Sequence, residues 1–156
     1  VLYTAWTAVL RPVKRILQSD IPAERQEKVD TAIQATHRVL NTLNAAYNKT
    51  VTKKNALIQA EELKAVYDRV FNKVVSAPVI MAQSCITDLK RFLESVKDVN
   101  DFVLAHPNGV RYRGNRVILK GTQYEKDISS LLRKQKRQFD VLQQRVEQIK
   151  EMLNEG

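Results

Sequence analysis

The sequence predicts an all-α chain: an up-and-down helical bundle of four to five helices, with a short β-hairpin at about 110–119 before the last long helix. Three observations lead there. Apolar residues recur at steps of three and four along most of the chain, the period of a helix with one buried side. The internal glycines, Gly109, Gly114 and Gly121, cluster in one short stretch, so a single irregular segment interrupts the helical pattern. The stretch from Thr122 to Leu153 carries a heptad seam: Ile128, Leu132, Gln135, Phe139, Leu142, Val146, Ile149 and Leu153. A seam of that kind calls for partner helices, and its one polar member, Gln135, sits mid-way.

The chain has 156 residues, 44% of them hydrophobic and 28% charged, which fits one globular domain spanning 1–156 and argues against disorder. No uninterrupted apolar run nears the roughly 18 residues that span a bilayer, so a soluble or peripheral protein without a transmembrane segment is expected. The compartment stays open: Val1 in place of Met reads as a processed terminus or a fragment, and no secretory pattern follows it. A lone cysteine, Cys85, permits no internal disulfide.

The first helix is expected at about 2–17. Leu2, Trp6, Val9, Val13 and Leu17 share one face, Arg11, Lys14 and Arg15 lie opposite, and Pro12 kinks the helix or marks its start. Ser19 or Asp20 can cap the second helix, with Pro22 in its first turn. That helix, about 22–48, presents Val29, Ile33, His37, Leu40, Leu43 and Tyr47 on one face. The polar stretch 48–55 reads as a turn, although no glycine or proline enforces it. The third helix, about 56–76, has the seam Leu63, Val66, Val70, Val74 and Ala77, widened by Tyr67 and Phe71. Ser76-Ala77-Pro78 is expected to break it, since the residue before a proline resists helical geometry. One straight helix from 56 to 105 would also measure about 75 Å, too long for a compact domain. The fourth helix, about 78–105, carries Val79, Ala82, Ile86, Leu89, Leu93, Val96 and Val103, with Asn100 at a polar seam position, and stops at His106-Pro107-Asn108-Gly109. Gly114-Asn115 between β-prone residues is a two-residue hairpin signal of type II′ or I′. Thr122 and Glu125 fit a capping box opening the last helix, about 122–154.

No catalytic constellation emerges, so an enzyme is not expected, and neither is a cofactor, a metal or a small-molecule substrate. His37 lies on an apolar face and reads as a core or boundary histidine; His106 suits a helix C-terminus. Cys85 beside a seam reads as a buried, inert thiol. The unusual chemistry is electrostatic. The net charge is +9, of which residues 111–137 supply seven: nine cations against Glu125 and Asp127. Arg111, Arg113, Arg116 and Lys120 on the hairpin, with Lys126, Arg133, Lys134, Lys136 and Arg137 on the helix, form a candidate anion-binding set. Arginine forks suit phosphate oxygens, and Tyr112 between two arginines could stack on a base or sit at a lipid interface.

The expected role is a non-enzymatic structural or interaction subunit that presents this basic hairpin and helix face to an anionic partner, nucleic acid or an acidic surface, or to other subunits of an assembly, its own copies included. The alternative is a membrane-associating bundle of pore-forming or cell-death type, whose first helix contacts acidic lipid through Trp6, Arg11, Lys14 and Arg15.

Overall fold

The computed structural model describes residues 13–58 and 60–154. Residues 13–17 form a helical turn, followed by α1 (Pro22–Asn55), α2 (Glu61–Phe71), α3 (Ala77–Ala105), a hairpin of β1 (Val110–Arg113) and β2 (Arg116–Leu119), and α4 (Glu125–Asn154). The chain is an all-α bundle with a short hairpin before its last long helix. Of the first expected helix, Trp6, Arg11 and everything else before Val13 fall outside the described residues.

Several boundaries differ from expectation. The helix expected to end at 48 continues to Asn55. The hydroxyls of Thr50 and Thr52 donate back to the carbonyls of Ala46 and Asn48, at 2.8 and 2.9 Å, so polar side chains that favour turns are absorbed by the helix itself. The expected break at 76–78 is absent. A π-helical turn, Asn72–Ser76, joins α2 to α3, and the shifted bonding of that turn accommodates Pro78, which has no N–H to offer. Glu61–Ala105 is therefore one rod of 45 residues, about 67 Å long. The length objection fails because the rod outruns its neighbours instead of folding within them. At the start of α1 the N-cap is Ile21, and neither Ser19 nor Asp20 caps it. The last helix begins at Glu125, whose N–H donates to the Thr122 carbonyl at 3.1 Å, and no capping box forms.

The rods pack antiparallel. Along α1, Lys54 meets Asp68, Tyr47 meets Ser76, Asn44 meets Gln83 and Asp30 meets Lys97. Along α4, Lys134 meets Asp98 and Arg145 meets Asp88, at 2.7 and 3.0 Å. Extending the second register brings Asn154 level with Val79, so the stretch from about Asp68 to Ser76 has α1 beside it and, among the described residues, no third helix.

That difference sorts the seams. The seam of α3 is buried from Ile86 to Val103, with Asn100 wholly enclosed. Its core includes Val29, Leu89, Phe92, Leu93, Val96, Leu142 and Ile149, with Val13 and Ile16 from the N-terminal turn. On α1, Thr36 is buried in the place expected for His37, which is exposed. On α4, Leu131 and Met152 are the more enclosed side chains where Leu132 and Leu153 were expected. The seam of α2 contradicts expectation outright. Leu63, Val66, Val70 and Val74 are 64, 57, 54 and 65% exposed, and Phe71 is the side chain that faces α1.

Candidate functional site

The hairpin owes its orientation to strand parity. Successive side chains alternate faces, so Val110 and Tyr112 are buried while Arg111 and Arg113 point outward. Gly114 has φ of 62° and Asn115 does not share the positive sign, which selects the type II′ turn from the two expected. The strand register sets Arg113 directly opposite Arg116, and Arg111 opposite Ile118. The inner face rests on Val99, Val103 and Ile128, with Phe102, Tyr124 and Leu131 packed around them. An isolated two-stranded ribbon is marginal in water, and this contact supplies the missing layer.

The tip is held by a buried charge that the sequence did not single out. Arg25, 3% exposed, donates to the carbonyls of Leu17 at 2.6 Å, Ser19 at 2.9 Å and Gly114 at 3.0 Å. Its guanidinium lies over the Tyr112 ring, 3.7 Å from the centroid. The Asp20 carboxylate accepts the Gly114 N–H. The Tyr112 hydroxyl donates to Asn100 Oδ1 at 3.0 Å, and Asn100 Nδ2 donates to Gln26 Oε1 at 2.6 Å and to the Pro22 carbonyl at 3.1 Å. Burial lowers the Arg25 pKa from its ordinary value, opposed by Tyr112 and Asp20, and burial raises that of Tyr112, opposed by Arg25. Near neutral pH one stays cationic and the other neutral, which suits a cation over a π-face. Tyr112 is therefore a structural group, and the expectation that it stacks on a base or meets lipid is corrected: parity turns it inward under Arg25. A signal for Arg25 did exist, four residues before Val29 on the apolar side of α1.

The remaining set divides in two. Arg111, Arg113, Arg116 and Lys120 are exposed on the hairpin, where Arg111 and Lys120 help wall a concavity of about 550 Å³ between residues 107–111 and 118–120. Lys126, Arg133 and Arg137 are exposed on α4, at steps of seven and four that place them along one line away from the bundle; Lys136 is exposed beside them. Lys134 differs: its ammonium is held at 2.7 Å by Asp98 across the α3–α4 contact. Among the described residues the other eight cations have no carboxylate partner. Lys14 and Arg15 are exposed, while Val13 and Ile16 between and beside them point into the core.

Elsewhere, Cys85 and Asp88 lie inside the α3–α4 contact. Burial and nearby Asp88, partly offset by Arg145, push the Cys85 thiol up to about 12, which keeps it protonated and unreactive. Asp88 is 4% exposed and bridges α3 to α4 through Arg145. His106 stacks between Phe102 and Tyr124, with ring centroids 4.3 and 4.5 Å away. No group of three His, Cys, Asp or Glu among the described residues is arranged to hold a metal ion. The rod Glu61–Ala105 contains an 18-residue window of mean hydropathy 1.2, long and apolar enough to cross a membrane by length and composition, with 17% of the window buried. The expected absence of any such segment is therefore not confirmed, because joining α2 to α3 makes one helix of that length and composition.

A family model described as "Protein of unknown function (DUF3053)" matches residues 1–152. No curated protein and no solved structure matches the chain.

Proposed function

The chain belongs to the DUF3053 family, and we propose that it is a non-enzymatic interaction protein whose hairpin and α4 offer two basic surfaces to a phosphate-bearing partner. The observation that carries this reading is the Arg113–Arg116 pair. Like charges directly opposite on neighbouring strands destabilise a hairpin. Here the pair is kept, no carboxylate answers it among the described residues, and Arg25 and Asp20 lock the turn between them. A phosphate oxygen set between two guanidinium forks turns that repulsion into charge-assisted hydrogen bonds. The outward line of Lys126, Arg133 and Arg137 adds about 16 Å of positive helix face.

The test is a charge-reversed variant, Arg113→Glu, Arg116→Glu, Arg133→Glu and Arg137→Glu together. Binding is measured to duplex nucleic acid, single-stranded nucleic acid and vesicles containing phosphatidylserine, each across a salt series. The parent protein should bind one of them with an affinity that falls steeply with salt, and the variant should lose binding while its helical circular dichroism is unchanged. Equal, salt-sensitive affinities in both proteins would leave these cations as a solvated surface. The burial of Val13 and Ile16 counts against the alternative in which the first helix inserts its apolar face in a membrane.

A further inference from the structure

The exposed stripe on α2 is the part of the chain that the basic surfaces leave unexplained. Leu63, Val66, Val70, Val74 and Ala77 are all exposed, and the first four are large aliphatic side chains more than half open to solvent. Exposed apolar patches this continuous mark interaction surfaces. At the tip of the same arm Leu57 and Ile58 are 52 and 102% exposed, and Ile80 and Leu153 at its base are 55 and 39% exposed.

The spacing of the stripe matches a second copy of itself. From Leu63 to Ala77 the steps are three, four, four and three, a pattern that reads the same in both directions about Val70. Set antiparallel against itself on a two-fold axis through Val70, the stripe places Leu63 opposite Ala77, Val66 opposite Val74, and Val70 opposite Val70. Every member meets a member. An isologous contact requires this self-complementarity.

The charges agree. Residues 61–79 hold Glu61, Glu62 and Asp68 against Lys64, Arg69 and Lys73, so the arm is neutral in a chain of +9. About the same axis no charged residue faces another: Lys73 comes opposite Tyr67, whose ring is 40% exposed, and the rest face apolar or uncharged polar positions. Among the described residues no third helix lies beside the stripe, and the partner's arm takes that place. The tip, with Leu57 and Ile58, then reaches the partner's Ile80 and Leu153. The basic hairpins point away from each other, about 100 Å apart at 1.5 Å per residue along the two rods.

The area is sufficient. Eight large apolar side chains, seven of them 39–65% exposed and Ile58 fully so, amount to roughly 400 Å² of apolar surface per copy by the transfer relation. At about two-thirds apolar that is an interface of about 600 Å² per copy, near the lower bound for a specific contact. We propose that a second copy of this chain docks antiparallel on the α2 stripe, with the two-fold axis at Val70. This inference stands independently of any anion bound by the hairpin.

Sedimentation equilibrium and cysteine cross-linking of the full chain test it. Cys85 is fully buried and stays inert. Val70→Cys should form a disulfide-linked dimer on mild oxidation. Leu63→Cys alone should not, because its copies lie about 21 Å apart along the pair; Leu63→Cys with Ala77→Cys should. Val70→Glu, on an exposed face that leaves the helical spectrum unchanged, should raise the dimer dissociation constant at least about 100-fold, since two carboxylates then meet on the axis. A parent protein that is monomeric at about 100 μM overturns the inference, as does efficient cross-linking of Leu63→Cys alone, which signals parallel pairing. Retention on neutral phosphatidylcholine vesicles that Val70→Glu abolishes, with no dimer in solution, assigns the stripe to lipid and overturns it as well.

Discussion

Replacing Arg25 by methionine tests whether the hairpin is positioned by a buried cation. Methionine matches much of the arginine stem and keeps the packing on α1, so the change isolates the guanidinium. Three carbonyls, those of Leu17, Ser19 and Gly114, lose their donor. At about 1 kcal/mol for each carbonyl left partly buried and unpaired, the loss is about 3 kcal/mol. The stack on Tyr112 adds about 1 kcal/mol. A total of about 4 kcal/mol corresponds to a melting-temperature drop of about 8–15 °C for a cooperative domain of this size. Should the tip open without the bundle, the same energy appears as a two- to three-decade rise in hydrogen exchange of the amides in 110–119. Exchange by mass spectrometry and a thermal scan together cover both outcomes. Arg25→Lys, which keeps the charge and loses the fork, should fall between the two. A variant with parental melting and parental protection of the hairpin amides would refute the assignment of Arg25 as its anchor.

Three further predictions rest on other parts of the structure. A Cβ at Gly109 would collide with the Tyr124 ring, so Gly109→Ala should destabilise the fold by about 1–3 kcal/mol in a denaturant titration, and shortening Tyr124 to Ala in the same chain should recover part of the loss. Above pH 9 the protein should lose stability, because the folded-state pKa of Cys85 is raised from 9.0 to about 12: the contribution is complete below 9.0 and fades as pH climbs towards 12, at up to 1.36 kcal/mol per unit for one proton. Tyr112, also raised, acts in the same direction above pH 10. Cys85→Ala should flatten the first part of that alkaline limb, read as melting temperature against pH. Gln135, half-buried between Ile128 and Leu142, should raise the melting temperature when changed to Leu; no change would place it outside the α3–α4 contact.

What the sequence revealed depended on how local the deciding physics was. The hairpin was legible to the residue because Gly114-Asn115 demands its turn and the flanking alternation fixes the strands. The same alternation already carried the inward fate of Tyr112: once Val110 faces the core, a period of two sends Tyr112 with it and both arginines out. The seam of α3 was legible from Ile86 to Val103 because α1 and α4 cover that part from both sides. The stretch 48–55 was not, since threonines that favour turns close back on the helix when no glycine or proline stops them. Pro78 misled for a related reason: a π turn can accommodate its missing N–H, and nothing in the composition distinguishes that from a break. For Arg25 the only signal was its place four residues before Val29, because what buries it is a carbonyl cluster assembled from residues 17, 19 and 114.

The seam of α2 shows most clearly what periodicity does and does not establish. A heptad repeat says that a helix has a partner; it does not say that the partner is in the same chain. Among the described residues, rod lengths set how much of the seam α4 covers. The Glu61–Ala105 helix has 45 residues and α4 has 30, so with both starting from the hairpin end about 15 residues of the longer rod, some 22 Å, lie beyond the shorter one. That shortfall is the stretch from Glu61 to about Val75, and it coincides with the exposed aliphatic stripe. The same inequality separates the two unusual surfaces. Whatever meets the arginines does so where α4 begins, and whatever covers the valines does so past the point where it stops. Lengthening α4 by two heptads with leucine at the inward positions should therefore cover the stripe from within and leave the basic surfaces untouched. If it abolished self-association without weakening polyanion binding, the two surfaces would be shown to work separately; coupled loss of both would contradict this division.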